Sequence, residues 1–107
     1  MEHLTAVELS AWLGDPARAQ PVLLDVRENW EVETCKIAGS THIAMHTIPA
    51  RIEELDEEAD IVCICHHGAR SMQVAAFLER NGFARTFNLT GGIHAWALQV
   101  DGTLPKY

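Results

Sequence analysis

The chain has 107 residues, 48% of them hydrophobic, enough for one modest core and too few for two domains of ordinary size. Its 15 acidic and 8 basic residues give a formal charge of −7, a surface that favours solubility and argues against non-specific nucleic-acid binding. The 3 cysteines cannot all pair within one chain and none is spaced C-x-x-C. The opening MEHLTAVELS holds two acids and no long apolar run, so neither a secretory signal nor a membrane span is expected, and reduced thiols in a cytoplasm are.

Thr5 followed by Glu8 predicts a helix with a capping box, its apolar face carrying Leu9, Trp12 and Leu13, ended by Gly14, Asp15 and Pro16. Val22–Val26 is a short β-branched run and predicts a buried parallel strand, with Asp25 its only acid. Glu28–Glu33 is polar, helical or irregular, with Trp30 and Val32 as candidate anchors. Ser40–Met45 suggests a short strand around Ile43. Thr47 is a candidate cap for a helix with Pro49 in its first turn, where a missing N–H costs nothing. The acids from Glu53 to Asp60 read as solvation of that helix and its exit. Ile61–Ile64 predicts a second core strand, Ser71–Asn81 a helix closed by Gly82, Arg85–Leu89 a third strand and Ile93–Leu98 a last helix anchored by Trp96. Strands alternating with helices imply a single α/β domain, residues 1–107, built on a parallel sheet covered on both faces.

The chemistry concentrates in IVCICHHGARS, Ile61–Ser71. An apolar strand ends on Cys65, a short loop follows, and a helix pattern opens at Ser71. A free cysteine is mostly protonated at neutral pH, with a pKa of about 8.5. This loop can lower the cost of the anion. Loop amides can converge on Sγ, and the positive end of the next helix adds roughly 0.3–1 kcal/mol. Arg70 brings a fixed charge. Gly68 allows a tight curve, Ala69 leaves it unobstructed, and Ser71 offers a hydroxyl for the helix or the loop. His66 and His67 are read either as pocket walls or as acid–base groups.

Cys65 is therefore the candidate nucleophile. Cys63 shares its strand face by two-residue periodicity but sits inside the apolar run, so packing is its expected role. Cys35 is read as incidental and open to a surface position. No metal site is expected: Cys63, Cys65, His66 and His67 offer ligand types, but their contiguous spacing is unlike the usual C-x-x-C plus a distant pair. No organic cofactor is required either. Gly91–Gly92 reads as a turn without nucleotide-loop spacing, and His94 as a surface or locally hydrogen-bonded residue.

Arg27 directly follows the first core strand, where parallel sheets open their binding crevice. Two readings stay open for Asp25 and Arg27: a buried structural network, or support of the Cys65 site and its substrate.

Taken in order, LLDVRENWE (Leu23–Glu31), CHHGARS (Cys65–Ser71) and FNLTGGIHAW (Phe87–Trp96) resemble the single-domain rhodanese, or thiosulfate sulfurtransferase-like, family over about Leu4–Ala97. The resemblance implies a five-stranded, mostly parallel sheet with helices on both faces and a persulfide carried on Cys65. It also implies loop amides and Arg70 around that persulfide, support from Asp25 and Arg27, and architectural roles for Gly91, Gly92 and Trp96. Arg70 lies five positions after Cys65, a C-x4-R loop. The related dual-specificity phosphatases use C-x5-R, whose extra residue makes room for phosphate. Two departures from the family pattern are the paired histidines and Ala38, which stands where I-P-G-A is frequent.

The implied activity moves sulfane sulfur from thiosulfate or a related donor to cyanide or a thiol, with thioredoxin-like or sulfur-relay proteins as candidate partners and no nucleic acid or membrane. The alternative is a persulfide carrier or protein-binding module with little turnover of its own. Behind it stands a cysteine phosphatase or arsenate reductase.

Overall fold

The computed structural model describes every residue, Met1–Tyr107. Five strands form one sheet in the order β1-β5-β4-β2-β3, every neighbouring pair parallel. The strands are β1 (Glu2–Leu4), β2 (Val22–Asp25), β3 (Thr41–His42), β4 (Ile61–Ile64) and β5 (Thr86–Leu89). The helices are α1 (Ala6–Leu13), α2 (Asn29–Thr34), α3 (Ile48–Arg51), α4 (Ala69–Arg80) and α5 (Gly92–Gln99), with 3-10 turns on either side of α3.

Side-chain alternation divides the sheet into two apolar layers. Leu23, Val62, Ile64, Phe87 and Leu89 face α1 and α5, where Leu9, Trp12, Ile93 and Trp96 complete one core. Leu24, Ile61 and Cys63 face the opposite way, onto Ile48 of α3 and Val74, Ala75 and Leu78 of α4. Because β2 and β4 are buried on both faces, their sequences read as unbroken apolar runs rather than as alternation.

Topology places the functional loop. The chain leaves β2 toward β3 on one side, and leaves β4 toward β5 on the other. Asp25 pairs in register with Ile64, so the carboxyl ends of β2 and β4 lie side by side at this reversal. Such a switch point is where an open parallel sheet leaves a crevice. Cys65 is the first residue beyond it.

Several expectations are corrected in detail. Glu2–Leu4, which has neither length nor strong apolarity, is the edge strand against β5. The helix expected from Ser71 begins at Ala69, with Gly68 as its cap residue at φ +106°, so Ser71 lies inside the first turn and does not cap it. The Thr47 hydroxyl donates to the Ala44 carbonyl at 2.8 Å and makes no cap bond to α3. Trp30 is 60% exposed and anchors nothing in the core. Cys35 is buried, not at the surface. The capping box of α1 forms from Thr5 and Glu8, and Gly82 follows the end of α4 at φ +95°.

Candidate active site

The Cys65 side chain is 1% exposed and points into the concavity of its own loop. Its Sγ accepts from the backbone N–H of Gly68 at 3.1 Å and of Ser71 at 3.3 Å, and lies 3.2 Å from the Ser71 hydroxyl. Of the loop amides, these two reach the sulfur. His66, His67, Ala69 and Arg70 supply the chain between them. The sulfur thus sits at the N-terminus of the 12-residue α4, where unpaired N–H groups and the helix dipole favour negative charge.

Two glycines make this approach possible. Gly68 takes a left-handed φ of +106°, and a Cβ there would meet the Leu89 carbonyl and the Gly91 amide at 3.3 Å. Gly92 has φ +61°, and a Cβ would stand 2.5 Å from the Cys65 carbonyl oxygen. That closeness lets the first amides of α5 reach the Cys65 loop: Ile93 N–H donates to the Cys65 carbonyl at 2.9 Å and His94 N–H to the His66 carbonyl at 3.1 Å. The loop is therefore held by backbone bonds from β5's exit as well as by α4.

Ser71 connects the sulfur to the sheet. It is buried, and its hydroxyl donates to Asn88 Oδ1 of β5 at 2.5 Å. With its single proton committed there, Oγ can only accept from the Cys65 thiol. Asn88 in turn stands 3.4 Å from the Nδ1 of His3 on β1.

Arg70 does not touch Sγ. Its guanidinium makes a two-pronged ion pair with Glu31 of α2, at 2.7 and 2.8 Å. Glu31 is buried, caps the start of α2 through the Glu28 amide, and also accepts from the Tyr107 hydroxyl at 2.8 Å. The Arg70 guanidinium, with further help from the Glu28 amide and Tyr107, outweighs burial and holds the Glu31 carboxyl down to about 2. Glu31 in the same contact raises Arg70.

Arg27 is fully buried and turned away from the loop. Its Nε donates to Asp25 Oδ1 at 2.9 Å, and its Nη2 to Asp25 Oδ2 at 2.7 Å and to the Cys35 carbonyl at 2.6 Å. Its Nη1 donates to the Tyr107 hydroxyl at 2.8 Å. Asp25 and Arg27 thus form a closed network whose connection to the Cys65 loop runs through Tyr107, Glu31 and Arg70.

Cys63 lies in the same core layer as Cys65 but its side chain makes no hydrogen bond, and burial, with the nearby Cys65, pushes its thiol up to about 12. It stays protonated at neutral pH. At the loop mouth the His66 ring stacks on His67 at 4.0 Å and on Tyr107 at 4.0 Å, while His94 approaches His67 at 5.0 Å. Burial, then the neighbouring His67, holds His66 below its ordinary value. The groove between α3 and α4, about 230 Å³ and lined by Met45, Ile48 and Phe77 among others, is separate from this centre.

A Rhodanese-like domain model matches residues 5–99. The chain belongs to the rhodanese-like domain family. It is 45% identical over 74 residues to the putative sulfurtransferase YtwF of Bacillus subtilis, covering 69% of this chain and 71% of that one. It is 38% identical to the putative sulfur carrier protein YrkF of the same organism over 79 residues, which are 74% of this chain and 43% of that one. A crystal structure of a rhodanese-like domain protein from Staphylococcus aureus superposes with a TM-score of 0.85 at 30% identity, covering 100% of this chain and 99% of that one.

In this rhodanese-like domain the sequence motifs located the loop, but the contacts of four of its neighbours could not be read from them. Glu31 reads as one polar residue in a polar stretch. Asn88 reads as a polar interruption of a strand. Tyr107 is 37 positions beyond Arg70 and reaches the site only through the fold. His94, expected to be at the surface or locally hydrogen-bonded, is half-buried beside His66 and His67, and its ring bonds to no other group. The one available cue was the spacing of Asn88 and His94 around Gly91–Gly92, a turn whose close approach to Cys65 is visible only in three dimensions.

Proposed function

We propose that this rhodanese-like domain transfers sulfane sulfur through a persulfide on Cys65. The observation that carries the reading is the pair of backbone donors, Gly68 N–H and Ser71 N–H, aimed at Sγ from the head of α4. The Cys65 thiolate attacks the outer sulfur of thiosulfate. A new S–S bond forms, the old one breaks, and sulfite leaves with the electron pair. Cyanide or a thiolate then takes the outer sulfur, and its electron pair forms the new bond as the thiolate of Cys65 returns. With cyanide the product is thiocyanate. Neither step needs a metal or a redox cofactor. The amides serve the thiolate and the persulfide alike, since both place negative charge within their reach. Arg70, neutralised by Glu31, acts at longer range and holds α2 against the loop. The proposed partners are a small sulfur donor and a thiophilic acceptor, which in a cytoplasm can be a thioredoxin-like or sulfur-relay protein.

The test is to incubate reduced protein with thiosulfate, map the added sulfur by intact and peptide mass analysis, then add cyanide and quantify thiocyanate. One sulfur on Cys65 with turnover is expected, and Cys65→Ser loses both. Transfer that survives in Cys65→Ser refutes the mechanism.

A second reading is a carrier that loads readily but discharges slowly without a partner. The deep burial of Sγ and the likeness to a putative sulfur carrier protein favour it. Loading without thiocyanate release, followed by acceleration on adding a protein thiol, selects this reading. Cysteine-dependent release of phosphate would instead select phosphatase chemistry, which the short C-x4-R loop argues against.

A further inference from the structure

We propose that His66, His67 and His94 form a three-imidazole site for a divalent first-row transition ion, such as Zn²⁺, at the mouth of the Cys65 loop. One ring nitrogen from each residue lies within 4.8 Å of the other two. Ligation to one ion at about 2.0–2.1 Å requires closer nitrogens, so the rings must tilt inward. The exposed His67 and the half-buried His94 have room to do so.

The backbone beneath the rings is already fixed. His66 and His94 are joined by the 3.1 Å bond from the His94 amide to the His66 carbonyl, and Cys65 to Ile93 by the 2.9 Å bond beside it. Neither residue 66 nor residue 94 can drift without breaking this contact between loop and helix. The tilt is therefore asked of the side chains, with the backbone of the loop and of α5 already joined.

The nitrogens are also free. Among the other histidines, His42 Nε2 contacts the Arg27 carbonyl at 2.6 Å, His3 Nδ1 lies 3.4 Å from Asn88 Nδ2, and His46 faces Glu28 at 3.9 Å. No hydrogen bond of the protein ends on a ring nitrogen of His66, His67 or His94. Stacking on His67 and Tyr107 engages the faces of the His66 ring rather than its nitrogens. Imidazole donors suit zinc, nickel, cobalt and copper, and three of them leave a coordination position for water or an incoming thiolate. The cysteines play no part: all three are buried, and the Cys65 sulfur is turned to its amides.

The experiment is calorimetric titration of metal-free, reduced, tag-free protein with Zn²⁺, with Co²⁺ absorption as a second readout. No sulfur donor is present, so the result is independent of the transfer reaction. One saturable equivalent is expected, with cobalt bands of nitrogen–oxygen ligation and no thiolate charge transfer. His94→Gln should weaken affinity at least about tenfold, as loss of a ligand must exceed the cost of losing a supporting contact. His46→Gln, which removes an exposed histidine elsewhere, should leave it unchanged. His67→Gln, on an exposed ring that folding does not need, should repeat the effect of His94→Gln. Unaltered affinity in both His94→Gln and His67→Gln, a thiolate band lost in Cys65→Ser, or no saturable equivalent would each overturn the proposal.

Discussion

The two loops that leave the carboxyl ends of β2 and β4 begin as neighbours and end with opposite chemistry. Asp25 and Ile64 pair in register, and each strand is followed by a buried polar side chain, Arg27 on one side and Cys65 on the other. Around Arg27 every charge has a partner within the protein: two Asp25 oxygens, the Cys35 carbonyl and the Tyr107 hydroxyl. Around Cys65 the donors outnumber what a neutral thiol can use. Two amides aim at one sulfur that, when protonated, has little need of them, while the Ser71 hydroxyl oxygen stands by to accept its proton. A closed network stabilises the fold. An excess of donors stabilises a charge that arrives during a reaction. Cys63 sharpens the contrast, since the same side chain two residues earlier has burial without donors and a thiol pushed up to about 12.

If the β2 loop is structural, breaking it should unfold the protein rather than slow it. Arg27→Leu leaves the Asp25 carboxylate buried without its counter-charge, and should cost about 3–5 kcal/mol in urea unfolding. Activity per folded molecule should stay close to that of the wild type. The double variant Asp25→Leu with Arg27→Leu removes both charges and should recover part of the loss, because an absent pair costs less than a broken one. A double variant as unstable as the single one, or a specific loss of transfer in folded Arg27→Leu, would move Arg27 from the scaffold to the site.

The bridge between the loops, Glu31 with Arg70, should respond to acid. The folded Glu31 carboxyl, at about 2, lies below its ordinary 4.5. Its contribution is therefore fully present above about pH 4.5 and is lost as the pH falls toward 2. Arg70 is 35% exposed, so solvent screening limits that contribution to about 2 kcal/mol. Between about pH 6 and pH 3 the wild type should lose more stability than Glu31→Gln, and the two should converge at the acid end. Parallel curves would mean that the ion pair contributes nothing beyond geometry.

How much of this was legible in the sequence follows from the range of each interaction. The core strands at Val22 and Ile61 announced themselves because burial on both faces demands uninterrupted apolar residues. The loop after Cys65 was legible because its parts are contiguous: a strand end, a glycine, an arginine and a helix within seven positions. The beginning of α4 was misplaced at Ser71 because a left-handed Gly68 serves as the cap residue without a side-chain signal. Glu2–Leu4 was missed as a strand because its pairing is supplied by β5, 85 positions away, and not by its own composition. Arg70 was legible as a cation but not as the partner of Glu31, since that contact spans 39 positions. The histidine cluster was half visible. His66 and His67 are adjacent, while His94 joins them only where Gly92 lets α5 touch the loop.

The smallest effect expected is also the most diagnostic of an excess of donors. In the resting protein the Ser71 hydroxyl donates to Asn88 Oδ1, and its oxygen accepts from the Cys65 thiol. Once the sulfur is a thiolate or a persulfide, it no longer donates. The Ser71 hydroxyl must then choose between Asn88 and the anion. A turn toward sulfur adds a third donor to the Gly68 and Ser71 amides, at the expense of the bond to Asn88. Ser71→Ala removes that choice and keeps the residue-71 amide, so the loss should be only about 1 kcal/mol, a roughly fivefold fall in kcat/KM. Sulfur should still load on Cys65. An unchanged kcat/KM would place the hydroxyl permanently with Asn88, leaving two backbone amides as the whole of the cradle. A loss far above fivefold in folded protein would make the side chain, rather than the backbone, the main donor to the sulfur anion.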